Sequence, residues 1–118
     1  MKKTILICDD EEGIRESLKL ILEKDYNLIF TANGNEAIEA IKKDAVDAVI
    51  MDIKMPRLDG IEAMRKIKEL KPAVKILTIS GYKSVDTARE AVNAGASDYI
   101  VKPFDRNEIS KTVQKLLQ

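Results

Sequence analysis

Five short apolar runs alternate along this chain with five stretches whose apolar residues recur at helical spacing, and that alternation leaves few folds open. The third run, Ala48-Val-Ile-Met51, reads as a strand buried on both faces; Asp52 ends it, and Pro56 stops continuation and forces a loop. Thr4-Ile-Leu-Ile-Cys8 is a similar strand ending on Asp9-Asp10. Tyr26-Asn-Leu-Ile-Phe-Thr31 is less uniformly apolar and suits a sheet edge. Val74-Lys-Ile-Leu-Thr-Ile79 ends at Ser80-Gly81, and Asp98-Tyr-Ile-Val101 leads into Lys102-Pro103-Phe104.

The stretches between them have the other period. Ile14, Leu18, Ile21 and Leu22 line a first helix, with Glu11 and Glu12 in its first turn, where the helix dipole favours them. Asn33-Gly34-Asn35 reads as a turn before a short helix on Ala37, Ile38 and Ile41. Asp59-Gly60 opens a helix carrying Ile61, Met64, Ile67 and Leu70, which ends before Pro72. A helix from Ser84 to Ala94 turns Val85, Ala88, Ala91 and Val92 inward, and the last helix uses Ile109, Val113, Leu116 and Leu117. Five βα units predict an α/β three-layer sandwich of the flavodoxin-like (βα)5 class, a five-stranded parallel sheet with order 2-1-3-4-5.

Composition narrows the function classes. The 118 residues make one expected domain, 1–118, able to bury roughly two-thirds of its unfolded surface. Twenty basic and twenty acidic residues cancel, so no global field favours nucleic acid or an anionic membrane. No apolar run approaches the roughly 20 residues of a membrane span, Met1-Lys-Lys leads into a run too short for a signal peptide, and a cytoplasmic location is expected. Cys8 lies inside an apolar run and reads as a small buried hydrophobe. Histidine is absent, so chemistry must run on Asp, Lys and hydroxyls; abundant Lys and Glu lean towards a thermophilic source.

With the strand order above, Asp9, Asp10, Asp52 and Ser80 converge on the carboxyl rim of the sheet, and Lys102 reaches in from the fifth strand. Each alone has a plain structural use: Asp10 as a helix N-cap, Asp52 or Ser80-Gly81 in a turn, Lys102 as a solvated strand end. Together, three carboxylates raise one another's pKa values unless a cation lies among them. Oxygen donors without His or Cys suit a hard ion, and Mg²⁺ takes one or two carboxylates plus waters and a phosphate. Lys102 offers a point charge for a phosphoryl oxygen, and Ser80 a hydroxyl donor. The set suits metal-assisted phosphoryl transfer onto a carboxylate.

The motifs Ile-Cys-Asp9-Asp10-Glu, Met-Asp52-Ile-Lys-Met-Pro56 with Asp59-Gly60, Ser80-Gly81, and Tyr99 followed by Lys102-Pro103-Phe104 resemble the receiver domain of two-component response regulators, from Lys3 to Leu117. The resemblance implies that Asp52 accepts phosphate from a phosphohistidine on a sensor histidine kinase or histidine phosphotransfer protein. It implies that Asp10, Asp52 and the backbone carbonyl of Lys54 hold Mg²⁺, with Mn²⁺ as a substitute, and that Asp9 acts through water. Ser80 would move to the phosphoryl group, Tyr99 would change rotamer, and the Lys102-Pro103 bond would be cis. Ser80 stands where Thr is commoner in the family, keeping the hydroxyl and dropping the methyl. The chain would catalyse only its own phosphorylation and dephosphorylation, and is not expected to be an enzyme otherwise. Its output would pass through the face of the fourth helix, fifth strand and fifth helix to a downstream protein, with no direct nucleic acid binding and no membrane insertion.

Rival readings meet specific residues. A flavin or dinucleotide binder needs a Gly- or hydroxyl-rich phosphate loop after the first strand, where this chain has Asp-Asp-Glu-Glu. An aspartyl phosphatase of the haloacid dehalogenase type needs a second Asp two places after its nucleophile, and position 54 is Lys. A receiver used only for protein binding would lack an acidic, hydroxyl or Lys member, and none is missing. A receiver excised from a longer DNA-binding regulator is the other alternative; a Met start and an end at the last helix favour a stand-alone relay.

Two surface features complete the expectation. On a helical wheel, Gly13, Ser17 and Leu20 lie beside the core face with Ile14 on its boundary, and Pro103 with Phe104 would extend that patch into a kinase-docking surface. Lys54 and Tyr82, two places after Asp52 and Ser80, are neither amides nor carboxylates and cannot readily orient an attacking water; both are long enough to cover a phosphoryl group, so self-hydrolysis is expected to be slow. The fourth helix buries little apolar area and is the expected moving element.

Overall fold

The period-two runs become strands and the period-3.6 stretches become the helices that cover them. The computed structural model describes residues 2–53, 60–81 and 85–118, by backbone alone at 85–87. Strands β1 (Thr4–Cys8), β2 (Asn27–Thr31), β3 (Ala48–Asp52), β4 (Lys75–Ser80) and β5 (Asp98–Val101) alternate with helices α1 (Glu12–Leu22), α2 (Gly34–Lys43), α3 (Gly60–Leu70), α4 (Val85–Asn93) and α5 (Arg106–Leu116). All pairings are parallel, in the expected order β2-β1-β3-β4-β5. The expectations for Lys54, Pro56, Asp59, Tyr82, Ser84 and the side chain of Val85 fall outside the described residues.

Alternating side chains divide the core into two layers. Leu6, Cys8, Val49, Met51 and Ile76 pack against Ala37 and Ile41 of α2, Met64 and Ile67 of α3, and Ala91 of α4. Ile5, Ile7, Ile50, Leu77, Ile79 and Ile100 pack against Leu18 and Leu22 of α1 and Ile109 and Val113 of α5. Central β3 is buried along its whole length, whereas edge strand β2 exposes Asn27 and Phe30. Cys8 is buried as expected, and burial pushes its thiol up to about 12.

Four details differ from the expectation, and the alternative use of Asp10 as a helix cap is not taken up. Asn33-Gly34-Asn35 is the start of α2, because the Asn33 side chain accepts the Glu36 N–H at 2.9 Å while the Glu36 carboxylate accepts the Ala32 N–H at 2.9 Å. A local side-chain cap thus turns what reads as a turn into a helix N-terminus. Asp10 does not cap α1: Glu11 stands at that position, and Asp9 Oδ1 accepts the Glu11 N–H at 2.9 Å. Val92 is 59% exposed, because the buried face of the α4 segment centres on Ala91 and Ala94; Val92 lies roughly 130° from that centre at about 100° per residue. β2 begins one residue late, at Asn27, and Leu70, at the end of α3, is exposed.

At the end of the sheet away from the strand C-termini, Lys68 ties three segments together. Its Nζ donates to the carbonyls of Pro72 and Val74, each at 2.9 Å. Its methylenes lie against Gly95, whose φ of +114° follows α4. Gly60 closes the opposite end: its N–H donates to the Ile53 carbonyl at 3.3 Å, and a methyl there would overlap the Asp52 carbonyl oxygen and the Ile53 Cα. Gly60→Ala, ordinarily favourable in a helix, is therefore expected to destabilise by roughly 2–3 kcal/mol, lowering Tm by about 10 °C in a thermal melt.

Candidate functional site

The pleat decides which side chains meet at the carboxyl rim. Asp9 follows Ile5 and Ile7, Asp52 follows Ala48 and Ile50, and Lys102 follows Ile100, so all three continue the row that faces α1 and α5. Ser80 follows Ile76 and Thr78 on the other face, where Tyr99 packs against the second core layer. Backbone pairing carries on past the strands: the Asp9 N–H donates to Thr31 at 3.2 Å, Ile53 to Ile79 at 3.3 Å, and Lys102 to Ser80 at 2.7 Å. The three charged residues are therefore held as rigidly as the sheet.

Lys102 is the centre of the site. Its Nζ lies 3.1 Å from Asp9 Oδ2, 3.1 Å from Glu11 Oε1 and 3.5 Å from Asp52 Oδ2, with the side chain 14% exposed. Asp9 and Asp52 are both buried. Burial alone would lower the Lys102 pKa, but Asp52, Asp9 and Glu11 more than offset it and hold the ammonium above its ordinary value. Asp9 is also raised, because burial outweighs the Glu11 amide and the Lys102 ammonium that favour its charged form. Asp9 has a second use, since Arg15 Nη1 donates to its carbonyl at 2.7 Å and fixes the acidic loop to α1.

Carboxylate oxygens of Asp9, Asp10, Glu11 and Asp52 all lie within 4.8 Å of one another. An all-oxygen donor set of this size, two members buried and two exposed, fits a hard divalent cation that keeps part of its water. The expected residues Asp9, Asp10, Asp52 and Lys102 thus come together; Ser80 is buried at the same rim, Tyr99 is half-buried on the far face, and Lys54 and Tyr82 lie outside the described residues. Glu11 is the member that sequence reasoning missed. Its place in the first turn of a helix was fully explained by the helix dipole, and only the reach of Lys102 from β5 reveals its second contact. The Lys102-Pro103 bond is cis, as the resemblance implied.

Along α1, Leu20 is 67% exposed and Gly13 and Ser17 are exposed, as is Pro103 after β5. Ile14 and Phe104 are half-buried and pack against the α1–α5 core layer, so they are anchored more deeply than a free surface patch.

A family model described as the response regulator receiver domain matches residues 5–114. The chain is 36% identical over 114 residues to the transcriptional regulatory protein ZraR of Escherichia coli, covering 96% of this chain and 26% of that protein. It spans about a quarter of the length of several such curated relatives. It is 35% identical to sporulation initiation phosphotransferase F of Bacillus subtilis over 118 residues, 99% of this chain and 95% of that one. A CheY-like response regulator receiver domain protein from Methanospirillum hungatei superposes with a TM-score of 0.95 at 32% identity, covering 99% of this chain and 94% of that one. Sheet order, acidic rim and a match over nearly the whole length agree, and the chain belongs to the response regulator receiver domain family.

Proposed function

We propose that residues 1–118 act as one receiver unit in which Asp52 takes a phosphoryl group from a phosphohistidine on a sensor histidine kinase or histidine phosphotransfer protein. The observation that carries this reading is the buried Asp52 carboxylate at the strand end, with the Lys102 ammonium 3.5 Å away and the Asp9 and Asp10 carboxylates beside it. A carboxylate oxygen of Asp52 forms the O–P bond as the P–N bond breaks, and the departing imidazole keeps the electron pair. Lys102 neutralises an equatorial phosphoryl oxygen, and the Ser80 hydroxyl donates to another. Mg²⁺ bound by Asp10, Asp52 and the Lys54 carbonyl, with Asp9 orienting its water, would offset the charge of phosphate beside carboxylates. The family's fold and the similarity to a phosphotransferase over 95% of that protein's length support a relay role, which this reading places in the cytoplasm.

In this reading Ser80 and Tyr99 carry the phosphorylation signal to the α4–β5–α5 face and a downstream protein, and the exposed Leu20, Gly13 and Ser17 with Pro103 form the kinase-docking patch, Ile14 and Phe104 supporting it from beneath. Lys54 and Tyr82 set the phosphate lifetime by shielding without activating water.

Three outcomes are expected. Acetyl phosphate should label wild type in a Mg²⁺-dependent, alkali-labile manner, and Asp52→Asn should abolish the label; labelling at the wild-type rate in Asp52→Asn, or undiminished in excess chelator, overturns the assignment. Leu20→Ser should weaken transfer from a phosphohistidine donor by on the order of 1–2 kcal/mol and leave acetyl phosphate labelling intact, measured as parallel transfer rates. The pair Lys54→Asn and Tyr82→Glu should lose phosphate several-fold faster than wild type in Mg²⁺; an unchanged decay shows that these residues do not set the lifetime.

A further inference from the structure

We propose that Glu11 is a positioning residue that holds the Lys102 ammonium at the edge of its reach to Asp52, in a contact that must be released when a phosphoryl group claims the ammonium. This rests on the reading of Asp52 as acceptor. An ammonium has three N–H donors, and here Nζ faces three carboxylates, 0.4 Å nearer to Asp9 and Glu11 (3.1 Å each) than to Asp52 (3.5 Å). Turning the ammonium fully towards a phosphoryl oxygen on Asp52 draws it off the two shorter contacts, and either Asp9 or Glu11 has to yield. Asp9 is buried and pinned through Oδ1 by the Glu11 N–H, so losing Lys102 would leave a buried charge without its cation. The Glu11 side chain is 63% exposed, and its carboxylate returns to water at small cost. The Glu11 backbone is held at the start of α1, where its carbonyl accepts from Ile14 and Arg15, both at 3.2 Å, so the carboxylate is always supplied from the same side. Glu11 thereby stabilises the resting site relative to the phosphoryl-bound one and raises the threshold for activation.

The test uses the full chain and beryllofluoride, a phosphoryl analogue, titrated at saturating Mg²⁺ by calorimetry. Glu11→Gln keeps the shape and removes the charge, and should bind the analogue about two- to fivefold more tightly, the range of a half-exposed ion pair. Glu12→Gln removes the same charge one residue along, where it makes no contact with Lys102 among the described residues, and should leave affinity unchanged. In the analogue-free protein the Lys102 Nζ resonance should shift in Glu11→Gln and stay put in Glu12→Gln, a signature that general loosening of α1 would not give. Equal tightening in both variants, or no tightening in Glu11→Gln, overturns the latch. Should wild type fail to bind the analogue, or Asp52→Asn bind it equally well, the acceptor reading itself falls.

Discussion

One ammonium shared by three carboxylates is the interaction on which the rest of this structure depends. Buried Asp9 and Asp52 carry a desolvation cost that no neighbouring apolar group can relieve, so Lys102 has to arrive from β5 with its stem covered and its tip between them. That demand fixes the lengths of β1, β3 and β5 against one another, because a slip of one residue would turn any of the three side chains to the opposite face. The largely apolar centre of the sheet keeps that register, and the charged rim is what it positions.

The same alternation divides the proposed chemistry from the proposed response. Asp9, Asp52 and Lys102 lie on the α1–α5 face, while Ser80 and Tyr99 lie on the face covered by α2, α3 and α4. A hydroxyl drawn towards a phosphoryl group would therefore change packing on the side of the sheet away from the acceptor's neighbours. Among the described side chains, α4 adds only Ala91 and Ala94 to the buried core on that side, against Ile38 and Ile41 from α2 and Met64 and Ile67 from α3.

Much of this was legible from residue order alone. Buried runs and their polar stops give the strands to within a residue, and βα alternation gives a parallel sheet with the acidic rim at its carboxyl edge. The failures are local. Asn33 has the composition of a turn, and only its hydrogen bond with Glu36 makes it a cap. Val92 has the right spacing for the core, but small alanines let α4 rotate a narrower face inward. Glu11 satisfied one rule, the helix dipole, so nothing in the sequence called for a second partner 91 residues away.

Lys68 gives α4 an asymmetry that its own sequence does not contain. One side chain closes the α3–β4 connection through two carbonyls and fills the space at Gly95 where a side chain would otherwise sit. The carboxyl end of α4 is thereby moored to the end of the sheet farthest from the acidic rim; in the proposed switch, displacement at the rim would become rotation about that point, as in a lever. Mechanical gain in such a lever is set by the helix length beyond the pivot. Under the proposed output through this face, altering the mooring would change how far the surface travels and leave the residues of the acidic rim as they are.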